Sequence, residues 1–238
     1  QDSIICNSFN RFSDLRIFSM RLSLKNKTTR SLVGLLSVAI LYFMANMFAG
    51  NIVAPTEILE LSSLTSTDGK IQRQSVAYDV VYEFIPWQTR AHHLITNSTL
   101  PLWNAYQGLG APLFANFQSA LLNPINWLYL ATGNPLFGFF SYWLKLIIAS
   151  AGMFFLARYL GITIVTSCIG AIAFTYSGAV IGWLTWPHSS VFVLIPFATL
   201  FCLSILRDKP GPWFLLFAAT IALSILGGHP GSLIQLAF

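Results

Sequence analysis

The hydrophobic pattern of this chain consists of long uncharged runs, separated by short polar segments or by segments that contain glycine and proline. A helix needs about 20 apolar residues to cross a bilayer core of about 30 Å. Runs that approach or reach this length lie at residues 31–53, 135–158, 162–183, 189–206 and 212–226, and another begins near residue 232. The pattern therefore predicts an all-α fold, a polytopic bundle of transmembrane helices.

The longest stretch between two runs covers residues 54–134, and we predict that it is a partly helical loop. Basic residues precede the first run and follow the second and the fourth, at Arg158, Arg207 and Lys209. Since Lys and Arg favour the cytoplasmic side of a membrane, residues 1–30 are predicted to be cytoplasmic and the loop extracytoplasmic. The same alternation puts the turns at residues 186–188 and 227–231 on the outer side. We therefore expect the loop and both turns to converge.

The ends of the chain add a further expectation. The sequence starts with Gln1, its first methionine is Met20, and its last apolar run stops at Phe238. We expect an amino-terminal portion of a longer protein in which translation starts at Met20 and residues 1–19 are not native.

Composition excludes several classes of protein. Hydrophobic residues make up 55% of the chain, charged residues make up 9%, and the mean hydropathy is +0.66. Soluble domains are usually about a quarter charged, so a water-soluble globule is excluded. The net charge of +5 comes from basic residues at the ends of apolar runs, which argues against a nucleic-acid partner. The spacing of the three cysteines predicts neither a disulfide nor a metal clip.

Most of the acidic residues lie in the loop, which makes it the candidate for chemistry. Asp79 and Glu83 are four residues apart and share a face on a helix. Arg90 and His93 continue that polar face. The apolar residues that point to lipid or protein are Val80, Phe84, Ile85 and Trp87. The segment is predicted to be an interfacial amphipathic helix, although a plain connector with solvated charges fits the same pattern. The five acidic residues of the loop, of eight in the chain, are Glu57, Glu60, Asp68, Asp79 and Glu83.

Residues 100–127 interleave Trp, Tyr and Phe with Pro and Gly. Such aromatic residues suit the headgroup layer of a membrane and can also stack on sugar rings. Two interpretations stay open: an aromatic belt, or a site for a substrate with a polar head and a lipid tail. The second would use the polar and aromatic groups Trp103, Asn104, Gln107, Asn116 and Gln118.

Polar residues outside the loop give weaker signals. Lys145 lies near the middle of the second run, where an ionisable group is functional by default. It would meet a phosphate or a loop carboxylate, or face a polar bundle interior. His229 lies in the 227–231 turn, where it would approach Asp79 or simply cap a helix. Small residues in the third run, Gly170, Gly178 and Gly182, suggest close helix contact.

Several motifs of the loop, and one motif of the 227–231 turn, occur in a recognisable order. Asp79 precedes Phe-Ile-Pro-Trp at 84–87, followed by Pro-Leu-Trp-Asn at 101–104, Gly-x-Pro-Leu-x-Ala-Asn-x-Gln-Ser at 110–119 and Gly-Gly-His-Pro at 227–230. Over residues 20–238 the sequence resembles the bacterial YfhO-type membrane protein family. Ala105 departs from that family, where proline is common after Trp-Asn, and Leu122-Asn123-Pro124 replaces an aromatic-Pro pattern.

The resemblance implies a GT-C-like glycosyltransferase of the bacterial cytoplasmic membrane. Such an enzyme moves a sugar from a polyprenyl-phosphate carrier to a cell-envelope acceptor on the outer face. Asp79 best matches the family's catalytic base, and Glu83 comes second. Some GT-C enzymes use a divalent cation, but no ligand cluster in this sequence demands one. Together with the residue pattern, the resemblance suggests substrate-binding roles for Arg90, Trp103, Asn104, Asn116, Gln118, Lys145 and His229.

Two other function classes fit the sequence. A transporter or flippase would bury ionisable residues or broken helices at the membrane midplane, and only Lys145 qualifies here. A non-catalytic membrane scaffold would tolerate exchange of its loop acids.

Overall fold

The computed structural model describes residues 78–207 and 211–237, together with Arg30 and Gly34. Apart from Gly34, the predicted first span at 31–53 lies outside the described residues. The same holds for the loop acids Glu57, Glu60 and Asp68. The described part is mostly helical and contains one small two-stranded sheet.

The elements follow one another along the chain with short connections. A π-helical turn, Val80–Phe84, leads into α1, and the hairpin β1–β2 and two 3₁₀ turns follow. The bounds are α1 Ile85–Thr96, β1 Trp103–Asn104, β2 Ala111–Pro112, 3₁₀ turns Phe117–Ser119 and Pro124–Asn126, α2 Trp127–Thr132, α3 Pro135–Tyr159, α4 Ile164–Thr175, α5 Gly178–Ile181, α6 Pro187–Phe192, α7 Ile195–Arg207, α8 Gly211–Leu226 and α9 Pro230–Ala237.

Two helical stretches of the described part are long and apolar enough to cross a membrane, Phe140–Tyr159 and Pro187–Arg207. The run at 162–183 differs from the expectation of one long helix, because it is divided between α4 and α5. Ser177 begins the second piece, and its carbonyl oxygen accepts from the backbone N–H groups of Val180 and Ile181. At 1.5 Å per residue, α4 is only about 18 Å long.

Basic residues mark one end of the helices. After α3 the chain turns at Gly161, whose φ of +82° is favourable for glycine. The Arg207 guanidinium at the end of α7 lies 5.7 Å from the Tyr159 ring centroid. The ends of α3 and α7 that carry Arg158 and Arg207 therefore lie together.

The helices pack most closely at a glycine that the sequence pattern did not indicate. A Cβ on Gly152 of α3 would lie 2.9 Å from a ring carbon of Phe197 in α7. Among the described residues, a Cβ on Gly178 would have nothing within 4 Å, and a Cβ on Gly170 would meet the Met153 methyl of α3 at 3.9 Å, an ordinary van der Waals distance. The expectation of close helix contact in the third run stays a prediction.

A separate apolar cluster fixes the segment that precedes α3. Val80, Phe84 and Trp87 are buried on one side of the first helix and pack against Leu113 and Leu121 of the following loop. Three residues of the predicted apolar face are thus confirmed, whereas the fourth, Ile85, is exposed and does not join them. The polar face of the same helix is thereby held in a fixed direction.

Candidate functional site

The helix that carries Asp79 and Glu83 is irregular where the acids lie. Pro86 has no N–H to donate to the Tyr82 carbonyl, and its ring crowds that carbonyl. The turn before it is widened, and the Ile85 N–H donates to the Val80 carbonyl five residues back. π-Helical turns are rare and often lie at functional sites. Asp79 stands at the amino-terminal end of this turn and Glu83 within it.

Beside this helix lies a cleft of about 640 Å³, a volume within the usual range for a small-molecule site. One wall is a face of the helix and the other is the β1–β2 hairpin with its connecting turn. Asp79 and Glu83 are not among its lining residues. The cleft is lined by Tyr82, Ile85, Pro86, Trp87, Thr89, Arg90, His93, Asn104, Tyr106 and Gln107.

Two side-chain amides in the cleft have their oxygens occupied by the protein. Asn104 is buried, and its Oδ1 accepts from the Tyr106 backbone N–H at 3.1 Å. Gln107 Oε1 accepts from Trp87 Nε1–H at 2.7 Å. Because an amide has one oxygen and one NH₂ group, both residues keep their NH₂ donors uncommitted within the described part of the chain. The cleft is therefore suited to a ligand rich in hydrogen-bond acceptors.

Arg90 is the cation of the cleft. Its guanidinium carbon lies 4.8 Å from the Tyr106 ring centroid, and its Nη1 donates to His93 Nδ1 at 3.3 Å. Its Nε–H is buried, and within the described part of the chain it has no hydrogen-bond partner. A guanidinium held by an aromatic ring with donors to spare is typical of anion recognition.

The surroundings of Glu83 favour its protonated form. Partial burial raises the pKa of Glu83, and the negative charge of Asp79 one turn earlier raises it further. Glu83 therefore holds its proton at a higher pH than a solvated glutamate does.

The two predicted outer turns contact the helix through a series of aromatic rings. Phe84 packs edge-on against Trp186 at 5.1 Å between ring centroids, and Trp186 contacts His188 at 5.4 Å. His188 in turn stacks on His229 at 3.4 Å. The loop segment, the 186–188 turn and the 227–231 turn therefore lie together, as the sequence predicts.

Glycine makes this approach possible at the second turn. Gly228 has φ +89°, and a Cβ there would lie 2.9 Å from both the Ala120 Cβ and the Phe117 carbonyl oxygen. A Cβ on Gly227 would meet the Ser190 Cβ at 3.2 Å. The turn thus packs directly on the first 3₁₀ turn of the loop.

His229 caps the helix that it precedes. Its Nδ1 accepts from the Ser232 backbone N–H at 3.0 Å and pairs with the Ser232 hydroxyl at 2.8 Å. Burial lowers the pKa of His229, which favours the neutral ring that such a cap requires. The capping alternative that the sequence left open describes this geometry.

Lys145 is almost fully buried, at 4% exposure, in a second and much smaller cavity of about 40 Å³. Its Nζ donates to Ser189 Oγ at 2.9 Å and, at the longer distances of 3.3 and 3.5 Å, to the carbonyls of Leu184 and Trp186. Gln118 lines the same cavity. Lys145 and Gln118 are therefore separated from the cleft that holds Arg90.

The remaining predicted residues have local roles in the loop. Trp103 is half exposed, and its indole covers Gly110, where a Cβ would lie 2.6 Å from the indole nitrogen. Asn116 caps the first 3₁₀ turn, since its Oδ1 accepts from the Gln118 backbone N–H at 3.1 Å. Of the substrate-site candidates that the sequence suggests, the structure brings Arg90, Asn104 and Gln107 into the large cleft.

Seven of the ten lining residues had not been named as site residues. The spacing of Tyr82, Pro86, Arg90 and His93 is that of one helix face, and this signal could have found the first and last of them. No sequence pattern indicates that Tyr106 and Gln107 fold back over that face. The missed residues with polar or aromatic groups are Tyr82, Trp87, Thr89, His93 and Tyr106.

In residues 78–207 and 211–237 no group of three or more His, Cys, Asp or Glu side chains is placed to hold a metal ion. In comparisons with known proteins, no family model, curated protein or solved structure matches the chain. Its relation to the YfhO-type family accordingly stays a prediction from the loop motifs.

Proposed function

We propose that this chain is a GT-C-type glycosyltransferase of the bacterial cytoplasmic membrane. It would transfer a sugar from a polyprenyl-phosphate carrier to a cell-envelope acceptor on the outer face. The observation that carries the proposal is that one helix holds both the Asp79–Glu83 pair and, on its next turns, the wall of the 640 Å³ cleft with Arg90. Acid and cation are thus on one rigid element.

The cleft is suited to the head of the carrier. Arg90 offers charged donors to phosphate oxygens, while the NH₂ groups of Asn104 and Gln107 offer neutral donors to phosphate or sugar hydroxyls. Trp87 and Tyr106 supply aromatic surface for a sugar ring. The volume holds a sugar phosphate and leaves the lipid tail outside.

Asp79 is the proposed general base. Its carboxylate accepts the proton of the acceptor hydroxyl as that oxygen attacks the anomeric carbon, and the bond from this carbon to the carrier phosphate breaks. The phosphate leaves with the electron pair, so the anomeric configuration inverts. Glu83 is the second choice because Asp79 matches the family's base position better; burial and the neighbouring Asp79 raise the pKa of Glu83, which strengthens it as a base.

The two ends of the helices carry different features, and this difference supports an outer location for the site. The loop segment meets the 186–188 and 227–231 turns, whereas Arg158 and Arg207 lie together at the other end of α3 and α7. Basic residues favour the cytoplasm, so the cleft belongs to the opposite side. Membrane lipids would surround the spans and supply the two-dimensional medium for the carrier.

The test is transfer by the full-length protein in membranes, with a polyprenyl-phosphate sugar as donor. We expect Asp79→Asn to lower the rate roughly 10²- to 10⁴-fold, the usual contribution of a general base, with unchanged membrane insertion. Asp68→Asn is the matched control, because it removes one loop carboxylate that has no assigned role. Equal rates for wild type and Asp79→Asn would remove Asp79 from catalysis.

A transporter is the second candidate, and one observation favours it. Lys145 is buried in α3 and donates to the carbonyls of Leu184 and Trp186, which follow the broken α4–α5 segment. Buried ions beside broken helices are typical of transport sites. Solute flux into liposomes that Lys145→Met abolishes and Asp79→Asn leaves intact would favour this function over glycosyl transfer.

A further inference from the structure

The small cavity around Lys145 lies where four separate parts of the chain meet. α1 contributes Gln88, the first 3₁₀ turn contributes Gln118, α3 contributes Lys145 and α6 contributes Ser190. These positions are far apart in sequence, so an occupant of the cavity would contact α1, which forms one wall of the large cleft, together with the loop, α3 and α6.

The charge of this cavity is one-sided. None of the described residues that line it is acidic, and Lys145 is the lining cation. Burial of an ammonium without a counter-charge is costly, and all the more in a helix that crosses a membrane. Protein oxygens compensate only partly, since two of the three acceptors lie 3.3 and 3.5 Å from Nζ, beyond the usual 2.7–3.2 Å.

Other hydrogen-bond donors of the cavity also favour an anion. Within the described part of the chain, the side-chain amides of Gln88 and Gln118 make no hydrogen bond to another residue, although both line the cavity. The Ser190 side chain lines it as well and is buried. A cation surrounded by uncommitted NH₂ and OH donors is complementary to an anion.

Size decides which anion fits. The cavity of about 40 Å³ has about one sixteenth of the volume of the large cleft, about 640 Å³. A monatomic anion with one or two waters fits, whereas a lipid-linked sugar phosphate does not. The carrier head is suited to the cleft of about 640 Å³ instead.

We propose that this cavity is a binding site for a small inorganic anion, of which chloride is the type, held by Lys145 and the amides of Gln88 and Gln118. The anion ties α1 and the loop to α3 and α6. This inference goes beyond the proposed function and does not depend on glycosyl transfer, because it concerns a separate cavity.

The experiment measures the unfolding temperature Tm of the full chain in detergent, with sodium chloride replaced by sodium gluconate at constant ionic strength. Gluconate is too large for the cavity. We expect a saturable rise in Tm of about 5 °C when chloride reaches about 100 times its Kd, since a ligand of the native state stabilises by mass action. Bromide should act as chloride does.

Variants test whether the rise in Tm comes from anion binding in this cavity. Lys145→Met should abolish the response to chloride, and Gln88→Leu should shift its midpoint roughly tenfold higher, as expected for the loss of one hydrogen bond to a charged group. Arg207→Gln, which removes an exposed cation at the other end of the helices, is the matched control and should respond as wild type does. If Lys145→Met fails to fold, Gln88→Leu and the comparison of chloride, bromide and gluconate in the wild type still test the proposal.

Equal Tm of the wild type in chloride and gluconate would overturn the proposal. Such a result is expected if one of the acids Glu57, Glu60 or Asp68 supplies the counter-charge internally. A full chloride response in Lys145→Met, or its loss in Arg207→Gln, would also overturn it. None of these outcomes bears on the Asp79→Asn experiment, so the two proposals fail independently.

Discussion

Arg90 combines three properties that rarely occur together in a solvated arginine. Its guanidinium stacks on Tyr106, it donates to His93, and in the described part of the chain its buried Nε–H has no partner. The ring contact fixes the plane of the guanidinium. The arginine side chain therefore loses less conformational entropy when an anion binds. At the scale of single residues, the cleft is therefore prepared for an anionic group.

Replacement of Arg90 tests this preparation. We expect Arg90→Gln to weaken binding of a polyprenyl-phosphate sugar roughly 10- to 100-fold, the range for one hydrogen bond to a charged group. Arg90→Lys should recover only part of the loss, because an ammonium has no plane to stack on Tyr106. Binding is measured by displacement of a fluorescent carrier analogue. Arg158→Gln is the charge-matched control, and equal loss in that variant would contradict a specific role for Arg90.

Glu83 predicts a dependence of stability on pH. The pKa of Glu83 is raised above its ordinary value of 4.5 by burial and then by Asp79. The folded state binds this proton more tightly than the unfolded state, so the free energy of unfolding increases as pH falls through the raised pKa and levels off below about 4.5. Glu83→Gln should remove this increase, measured as unfolding midpoints between pH 4 and 8.

Asp79→Asn provides the comparison for that measurement. It removes the second cause of the raised pKa and leaves the burial of Glu83 in place. The increase in stability should then be present but begin at a lower pH than in the wild type. An identical pH profile for wild type and Glu83→Gln would show that the carboxyl is not perturbed.

At the scale of elements, contacts between distant turns position the cleft. The loop cluster of Val80, Phe84 and Trp87 is completed by Trp186, and the first 3₁₀ turn is covered by the glycine turn at 227–228. These contacts leave no room for added atoms. The orientation of α1 thus depends on a turn more than one hundred residues later in the chain.

Gly228→Ala should disturb that contact. The added Cβ lies 2.9 Å from Ala120 and the Phe117 carbonyl, and φ +89° is unfavourable for alanine. Strain and overpacking together predict a loss of about 2–4 kcal/mol in the free energy of unfolding. Gly108→Ala is the matched control, because φ is +58° there but nothing lies within 4 Å, so only about 1–2 kcal/mol is expected. Equal losses in chemical unfolding would refute the steric contribution.

At the scale of the whole molecule, the sequence predicts what depends on local periodicity. It correctly indicates a mostly helical chain, the buried face of Val80, Phe84 and Trp87, and the meeting of the loop with two later turns. The break at Thr175 in the third run is not indicated, since Ser and Gly are tolerated inside apolar helices. Periodicity describes one element at a time and therefore cannot supply contacts between elements.

The cleft illustrates this limit. Its second wall is a hairpin whose Gln107 accepts from Trp87, twenty residues earlier. Likewise, the acceptor of Lys145 at Ser189 lies on another helix. Such pairs depend on the folded path of the backbone, so the polar residues of the loop could be named in advance but not divided between two cavities.

The orientation of the molecule in a membrane is the last prediction. In a background without Cys6, Cys168 and Cys202, Leu109→Cys lies at the fully exposed hairpin tip and Leu160→Cys at the exposed turn after Arg158. If the cleft is extracytoplasmic, a membrane-impermeant maleimide added to intact cells should label Leu109→Cys only. Permeabilised cells should label both, which controls for the reactivity of Leu160→Cys. Because the loop contacts the 186–188 and 227–231 turns, labelling of Leu160→Cys alone would move all three to the cytoplasm. The carrier site would then lie on the wrong side for an outer-face transferase, and the proposed function would fail with it.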